Sequence, residues 1–267
     1  MSVPDTHPTA TLDNGLFDQA MSYERSSGTQ MHQGRRLLQL VRCPPGSRVL
    51  DVGCGTGSLT LALADTLPNC RVDAIDISGK MVLMARTRAD TNSRIHYQTC
   101  DLMQYAPAWA YNVVFSNATM HWVLPTVPAY RQLFSLLASG GLLVVGQGGA
   151  GNYQGLWRCA QQVIKLTGRA AHFQGWSYPA SYPTKLQMEK MLSRIGFSDI
   201  EVRSEQSDGT ELPTLYRDFS EAGLLPVMAR LPLDDQPVFR DQFLAHAEHT
   251  QPSRYTHRLV ITARRPS

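Results

Sequence analysis

Short apolar runs alternate with helix-like segments through the middle of the chain. The run at 49–52 reads as a buried strand, and positions 59–67 carry leucine and alanine at helical spacing. Further strand-like runs follow at 71–76, 94–100 and 111–115. Strands that alternate with helices in this way predict a parallel sheet covered by helices on both faces.

The pattern continues, less regularly, toward the end of the chain. Positions 15–42 before the first strand look helical, with a break at 26–28. The later predicted elements are a helix at 126–137, a turn at 139–141, strands at 142–146, 197–203 and 255–263, a helix at 185–196, and helices within 210–250. The last two strands therefore flank a helical insertion of about 40 residues.

A glycine-rich turn separates the first strand from its helix. Gly53, Gly55 and Gly57 follow Asp51 with the spacing G-x-G-x-G rather than G-x-G-x-x-G. Such a turn exposes backbone N–H groups at a helix N-terminus, which suits a nucleotide-like or carboxylate-bearing ligand. The carboxylate of Asp51 would repel a pyrophosphate but can anchor an ammonium group. The motif therefore favours S-adenosylmethionine over a dinucleotide.

Polar residues also end the next three strands. Asp76 lies 19 residues after Gly57, close to the spacing at which a carboxylate binds ribose hydroxyls. Asp101 ends the third strand and Asn117 the fourth. Because the carboxyl ends of parallel strands share one edge of a sheet, these groups are expected to meet there.

Composition excludes several classes of function. The chain has 267 residues with 25 basic and 22 acidic side chains, a net charge of +3 that gives no footprint for nucleic acid. Its five cysteines show no C-x-x-C pair or zinc spacing, which fits a reducing, cytoplasmic location. The N-terminus has no apolar segment typical of a signal peptide, and no run approaches the length of a membrane span.

Four motifs together resemble the class I S-adenosylmethionine-dependent methyltransferases. They are Val-Leu-Asp-Val-Gly-Cys-Gly-Thr-Gly at 49–57, Ala-Ile-Asp-Ile-Ser at 74–78 with Met81, Cys-Asp-Leu at 100–102, and Phe-Ser-Asn-Ala-Thr-Met-His-Trp at 115–122. The chain is similar, over about 15–265, to the small-molecule branch with trans-aconitate, malonyl-acyl-carrier-protein and juvenile-hormone-acid methyltransferases. The resemblance implies an α/β fold, a Rossmann-like doubly wound sheet of seven strands with the last antiparallel, and a helical lid.

The same resemblance implies a division of the chain. The implied parts are N-terminal helices at 15–42 that close the cofactor site, an S-adenosylmethionine-binding core at 43–146, and the remainder of the sheet at 147–267 with lid insertions at about 150–184 and 207–254. Residues 1–14 are polar and rich in proline and threonine, which predicts a disordered tail. A lid suits a small substrate, because its closure excludes water and fixes the reacting geometry.

S-adenosylmethionine is the implied cofactor, and the resemblance assigns roles to the motif residues. Asp51 would lie near the ammonium group, Asp76 would bind the ribose hydroxyls, and Asp101 would accept from the adenine amino group. The other implied cofactor contacts are Tyr23, Gly53, Cys54, Gly55, Ile77, Met81, Leu102 and Asn117.

The acceptor site has no motif of its own. His121 lies near the expected position of the methyl group, either as a general base for a hydroxyl or as a residue that shapes the pocket. A carboxylate acceptor is ionised near pH 7 and would need an arginine or tyrosine clamp instead of a base. The candidate substrate contacts are Arg25, Trp122, Trp176, Tyr178, Tyr182, Arg217, Arg254 and Tyr255.

The predicted function is methyl transfer to a small molecule, with O-methylation of a carboxylate or hydroxyl by in-line displacement. The alternative is a natural-product enzyme of the pericyclase or lyase type that binds S-adenosylmethionine without methyl transfer. Nucleic-acid amino-methyltransferases carry a proline-rich run after the fourth strand, where this chain has Asn-Ala-Thr-Met at 117–120. Arsenic methylation would need three thiolates in the acceptor site, and the positions of the five cysteines do not favour it. The expected partner is a small-molecule acceptor, with neither nucleic acid nor membrane involved.

Overall fold

A computed structural model describes residues 28–67, 69–89, 92–208 and 214–267. Seven strands form one sheet in the order β3-β2-β1-β4-β5-β7-β6. The strands are β1 Arg48–Val52, β2 Arg71–Asp76, β3 Ile95–Thr99, β4 Tyr111–Asn117, β5 Leu137–Gly148, β6 Ser198–Ser207 and β7 Thr256–Arg264. Strands β1 to β5 pair in parallel, whereas β7 is antiparallel to both β5 and β6. The predicted fold class is therefore confirmed.

Helices cover both faces of this sheet. The helices are α1 Gly28–Leu38, α2 Ser58–Thr66, α3 Gly79–Arg88, α4 Thr126–Leu136, α5 Gln154–Leu166, α6 Lys185–Ile195, α7 Leu215–Asp218, α8 Leu225–Met228 and α9 Asp235–Thr250. Strand β1 shows how the faces are shared: Val49 packs with residues of α1 and α2, and Leu50 packs with residues of α4 and α6. Both side chains are fully buried, as expected for a central parallel strand. Within the described residues, no helix is both long and apolar enough to cross a membrane.

A second apolar core lies outside the sheet. Helices α5, α7, α8 and α9, here called the lid, bury their apolar faces against one another. Phe239 and Phe243 of α9 are fully buried in this cluster. Burial of each aromatic side chain contributes about 1.5–3 kcal/mol, so the lid holds together through its own packing.

Several elements differ from the predictions, among them the sixth strand, which spans Ser198–Ser207 rather than 197–203. The fifth strand spans Leu137–Gly148 rather than 142–146, because the turn expected at 139–141 is a bulge within it. The register shifts between Tyr111 and Val113 of β4, and Gly140 there has a φ of 72°. The helical region at 210–250 is broken by a π-helical turn at Phe219–Gly223 between α7 and α8. Tyr23 and Arg25 lie outside the described residues.

Candidate functional site

The loop between β1 and α2 is shaped by its glycines. Gly53, Gly55 and Gly57 have φ values of 73°, 54° and 79°, in the left-handed region that glycine adopts without strain. The Gly53 N–H donates to the Ile75 carbonyl at 2.8 Å, which ties the loop to β2. A Cβ at Gly53 would collide with the side chain of Thr119. At Gly53 the loop therefore presents bare backbone, because a side chain has no room there, whereas the Cβ position of Gly55 is open.

Asp51 lies beneath this loop. Its side chain is buried, and one carboxylate oxygen accepts a hydrogen bond from Thr60 Oγ1 at 2.7 Å. Burial raises the pKa of Asp51 to about 7, and the nearby charge of Asp76 adds to the rise. A cation close to this carboxyl would lower its pKa again. An ammonium group bound close to Asp51 would therefore favour the ionised form of its carboxyl group.

Asp76 closes the loop from the end of β2. One oxygen accepts from the Gly55 N–H at 2.8 Å, and the other accepts from the Ser78 N–H at 2.9 Å. Burial raises the pKa of this carboxyl as well. Each carboxylate oxygen has a further lone pair, so the group can still accept from hydroxyls. Next to it, Ile77 is partly exposed, and Met81 is buried in the first turn of α3.

Asp101 caps a short 3₁₀ turn after β3. Its Oδ1 accepts from the Met103 N–H at 2.9 Å, and Leu102 is buried in the same turn. The predicted cofactor residues that the structure describes, from Asp51 to Asn117, therefore follow the carboxyl ends of β1, β2, β3 and β4. The order of strands reverses between β1 and β4, which is the place where ligands bind in sheets of this type.

Asn117 contacts a buried arginine at the end of β4. Its Oδ1 accepts from Arg258 Nη2 at 2.7 Å, and Arg258 Nη1 donates to Gln33 Oε1 of α1 at 3.1 Å. Arg258 is 8% exposed, and burial lowers its pKa to about 10. Arg258 and Gln33 were not predicted from the sequence. The available signal was a charged residue at the start of the apolar run at 259–261.

His121 stacks on one aromatic side chain, Tyr182, and is tilted against a second, Trp122. Its ring centroid lies 5.0 Å from that of Trp122 and 5.5 Å from that of Tyr182. Its Nδ1 is buried without a hydrogen-bond partner among the described residues. Burial, followed by the positive charge of Arg258, lowers the pKa of His121 to about 3. The imidazole is thus neutral at pH 7 and a weak base, which favours its pocket-shaping role.

Tyr178 lies at the centre of an aromatic cluster above this edge. Its ring centroid is 3.6 Å from that of Trp157, 5.7 Å from Trp122 and 6.3 Å from Trp176. Its hydroxyl donates to the Gly223 carbonyl at 3.0 Å. The predicted candidates Trp122, Trp176 and Tyr178 therefore form one apolar wall together with Trp157 of the lid, which was not predicted. The wall continues through Tyr182 to His121.

An open groove of about 330 Å³ lies beside this wall. Its lining residues are Gly151, Asn152, Gln154, Trp157, Arg158, Gln161 and Tyr182. The groove shares Trp157 and Tyr182 with the aromatic cluster, so the cluster has one face packed and one face accessible.

The other predicted clamp residues are placed differently. The Arg254 guanidinium stacks over the ring of Tyr216 at 4.4 Å, and Arg217 is exposed on α7. Tyr255 is partly buried next to Gly151. Of the arginine candidates, none that the structure describes adjoins Asn117, where Arg258 lies instead.

Comparison with known proteins identifies the core of this arrangement. Residues 49–141 match the family model described as a methyltransferase domain. A malonyl-[acyl-carrier protein] O-methyltransferase of Ilyobacter polytropus is 30% identical over 50% of this chain and 50% of its own length. A trans-aconitate 2-methyltransferase of Variovorax paradoxus is 32% identical over 46% of this chain and 47% of its own. The chain thus spans about half the length of the curated relatives it matches.

Solved structures share the fold at low sequence identity. A Haemonchus contortus phosphoethanolamine N-methyltransferase covers 97% of this chain and 59% of its own, with a TM-score of 0.63 and 19% identity. The [4+2]-cyclase SpnF covers 88% and 80%, with a TM-score of 0.59 and 20% identity. The motif match and the sheet order agree with the resemblance inferred from the sequence. Residues 49–141 therefore match a methyltransferase domain, and the fold is the one that these solved structures share.

Proposed function

We propose that this chain methylates an oxygen atom of a small molecule, a carboxylate or a hydroxyl, with S-adenosylmethionine as the methyl donor. The observation that carries the proposal is the glycine loop that Asp76 closes at the point where the strand order reverses. The curated relatives, which the chain matches over about half their length, are named as O-methyltransferases of malonyl-acyl-carrier protein and methyltransferases of trans-aconitate. The acid could therefore also be the free carboxylate of an acyl group that is attached to a carrier protein through a thioester.

The geometry of the loop fits this cofactor. The position of Gly53 has no space for a Cβ, so the backbone at 53–55 would lie along the methionyl part. Asp51 would hold the ammonium group from below, and Asp76 would accept from the ribose hydroxyls. Asp101 and the Leu102 N–H would bind the adenine ring, with Ile77 and Met81 against its faces. When bound, the cofactor supplies a methyl group already activated by a sulfonium charge, so the protein mainly has to align two reactants.

The acceptor would bind between Asn117 and the aromatic cluster. Trp122, Tyr178 and Tyr182 offer an apolar wall for its body. His121 would contact it as a neutral side chain. An acceptor that is already ionised needs no base, which fits the weak basicity of this histidine.

The helices outside the sheet would control access to both ligands. The lid, together with the aromatic loop at 173–184, would cover the acceptor and exclude water. Helix α1 would close the cofactor side, and Tyr23 would extend that closure from outside the described residues. The division into these parts remains a proposal.

The cofactor site is tested by calorimetric titration with S-adenosylhomocysteine. We expect binding in the micromolar range for the wild-type protein and a loss of at least about tenfold for Asp76→Ala, because charge-assisted hydrogen bonds to the ribose are removed. Asp65→Ala, at an exposed position of α2, is the matched control and should bind normally. A wild-type protein that does not bind the compound would overturn the proposal.

The methyl transfer itself is tested with cofactor labelled in its methyl group. The label should move to acids or phenols, and S-adenosylhomocysteine should accumulate in equal amount. Mild alkali distinguishes the products, since it releases methanol from methyl esters but leaves methyl ethers intact. Conversion of a substrate without release of S-adenosylhomocysteine would instead identify a catalyst of the pericyclase or lyase type.

A further inference from the structure

We propose that Arg258 is the anion-binding residue of the acceptor site and holds the carboxylate of an acid substrate, an inference that rests on the function proposed above. Arg258 begins the apolar part of β7, and its side chain turns back over β5. Its position results from three elements that meet around the guanidinium, namely Gln33 of α1, Asn117 of β4 and Gly146 of β5.

No carboxylate among the described residues lies within ion-pair distance of the buried guanidinium. The charge of Glu205, opposite Arg258 in the β6–β7 pair, acts on it from farther away, and the Glu205 side chain bonds Arg36 instead. Its two hydrogen-bond acceptors, Gln33 Oε1 and Asn117 Oδ1, are neutral amide oxygens. Its Nε–H has no acceptor among the described residues. A buried charge without a contacting opposite charge is costly, and an anion bound beside it would offset that cost. The Nε–H and one further N–H on each Nη therefore remain as donors for the oxygens of a carboxylate.

The surrounding backbone provides room for this head group. A Cβ at Gly146 would collide with Nη2 of Arg258. Gly148, which pairs with Arg258 in the β5–β7 ladder, has no room for a Cβ either, since the ring of Tyr182 lies 2.5 Å from that position. The glycines of β5 thus bring the guanidinium and the aromatic wall close to the same strand.

The location of the charge indicates the acceptor rather than the cofactor. The carboxyl groups of Asp51, Asp76 and Asp101 follow β1, β2 and β3, whereas Arg258 lies over β5 on the other side of Asn117. The positive charge of Arg258 contributes to the lowered pKa of His121, and the His121 ring stacks on the aromatic wall. The sulfonium of the cofactor is itself a cation, so a guanidinium on the acceptor side would repel it unless an anion lies between them.

A carboxylate between Arg258 and the sulfonium would be attracted by both positive charges, and it is also the nucleophile. One oxygen would accept from Arg258, and the other would form the new bond to the methyl carbon as the carbon–sulfur bond breaks. The electron pair of that bond goes to sulfur, and the products are a neutral ester and a neutral thioether. No proton moves, because the acid is already ionised at neutral pH.

The test compares acids with their uncharged amides as ligands of matched shape. Cinnamate and cinnamamide, and octanoate and octanamide, are titrated calorimetrically into the protein with and without S-adenosylhomocysteine. We expect the wild-type protein to prefer each acid, and Arg258→Gln to weaken acid binding about ten- to hundredfold while amide binding is unchanged. Arg258→Lys should recover part of the preference, because it keeps the charge but not the fork.

Controls separate this role from a structural one and from a failure of the proposed function. Arg265→Gln removes an arginine that stacks on Phe134 and bonds the Leu137 carbonyl just beyond the far end of β7, and it should leave the preference intact. Equal weakening of acid and amide in Arg258→Gln would show a structural role and overturn the proposal. A loss of S-adenosylhomocysteine affinity with the acid preference intact would assign Arg258 to the methionyl carboxylate instead.

Two further outcomes refer to the wild-type protein. If no acid binds better than its amide, Arg258 does not form an anion site and the proposal is wrong. If S-adenosylhomocysteine fails to bind while the acid preference persists and depends on Arg258, the anion site stands and the methyltransferase proposal fails.

Discussion

On the proposed cofactor side of the sheet edge, a glycine loop and three carboxyl groups follow consecutive strand ends. On the proposed acceptor side, side chains from β4, the lid and β7 come together with a residue of α1. The difference is visible in sequence distance: the Asp76–Gly55 hydrogen bond spans 21 positions, whereas the Arg258–Gln33 bond spans 225. A ligand common to many enzymes can be bound by a local motif of backbone groups, while the acceptor is selected by side chains that only the folded chain brings together.

The largest expected effect comes from a substitution in the glycine loop on the proposed cofactor side. Gly53→Ala should lower the affinity for S-adenosylhomocysteine by at least about a hundredfold, because the new Cβ meets Thr119 and the left-handed backbone is strained. Gly46→Ala is the matched control, since Gly46 has a φ of 82° but open space around the Cβ position. It should cost stability of about 1 kcal/mol and leave the affinity unchanged. Equal affinities for both variants would show that the loop adapts to side chains.

A pH titration sharpens the role of Asp51 on the same side. Burial raises its pKa to about 7 in the free protein. Below that pH the carboxyl group is mostly protonated and must lose its proton before it can pair with an ammonium group. Affinity for S-adenosylhomocysteine should therefore rise by about tenfold from pH 6 to pH 8 and level off above pH 8. Asp51→Asn should flatten this profile. A profile that remains in the variant would point to Asp76, whose pKa is also raised by burial.

The stability of the free protein should follow the opposite trend. Because the folded-state pKa of Asp51 lies above its ordinary value of 3.8, the protonated form stabilises the fold. The free energy of unfolding should fall by a few kcal/mol as the pH rises from about 4 to about 7, and Asp51→Asn should remove that part of the decline. Denaturant titrations of both proteins at pH 4.5, 6 and 7.5 measure the difference. A parallel decline in both would exclude Asp51 as its source.

On the acceptor side, a smaller effect tests whether His121 acts as a base. His121→Phe keeps a ring against Tyr182 and should lower kcat by only about threefold, since the imidazole, with a pKa of about 3, is a weak base. Loss of a true general base would cost about 10²–10⁴-fold. The measurement uses whichever acceptor the labelled-methyl screen identifies, at pH 7 and pH 8. A loss of kcat in the range expected for a general base would show that His121 acts as one and would favour a hydroxyl acceptor.

The same contrast explains what the sequence could predict. Apolar runs and strand-end acids predicted the sheet and its loop correctly, because a parallel core strand and a tight glycine turn are local consequences of local residues. The bulge at Gly140 was missed, because its pairing with β4 depends on a register that no local pattern specifies. Arg258 was missed for a related reason. Its position depends on contacts with Gln33 and Gly146, which are distant in sequence and carry no motif.

The smallest expected effect tests whether the lid and the cofactor loop are independent. Tyr178→Phe removes the hydroxyl, which donates to the Gly223 carbonyl at 3.0 Å and also interacts with Tyr182 and Trp157, and it keeps the ring against Trp157. It should lower the free energy of unfolding by about 1 kcal/mol and change S-adenosylhomocysteine affinity less than twofold. Tyr216→Phe is the control, since its hydroxyl donates to the Pro252 carbonyl at 3.1 Å elsewhere in the lid. A tenfold change in affinity for Tyr178→Phe alone would mean that lid packing is transmitted to the glycine loop, because neither hydroxyl bonds a residue of that loop. The two halves would then be one cooperative site, and the acceptor would be expected to tighten cofactor binding by the same factor through linkage.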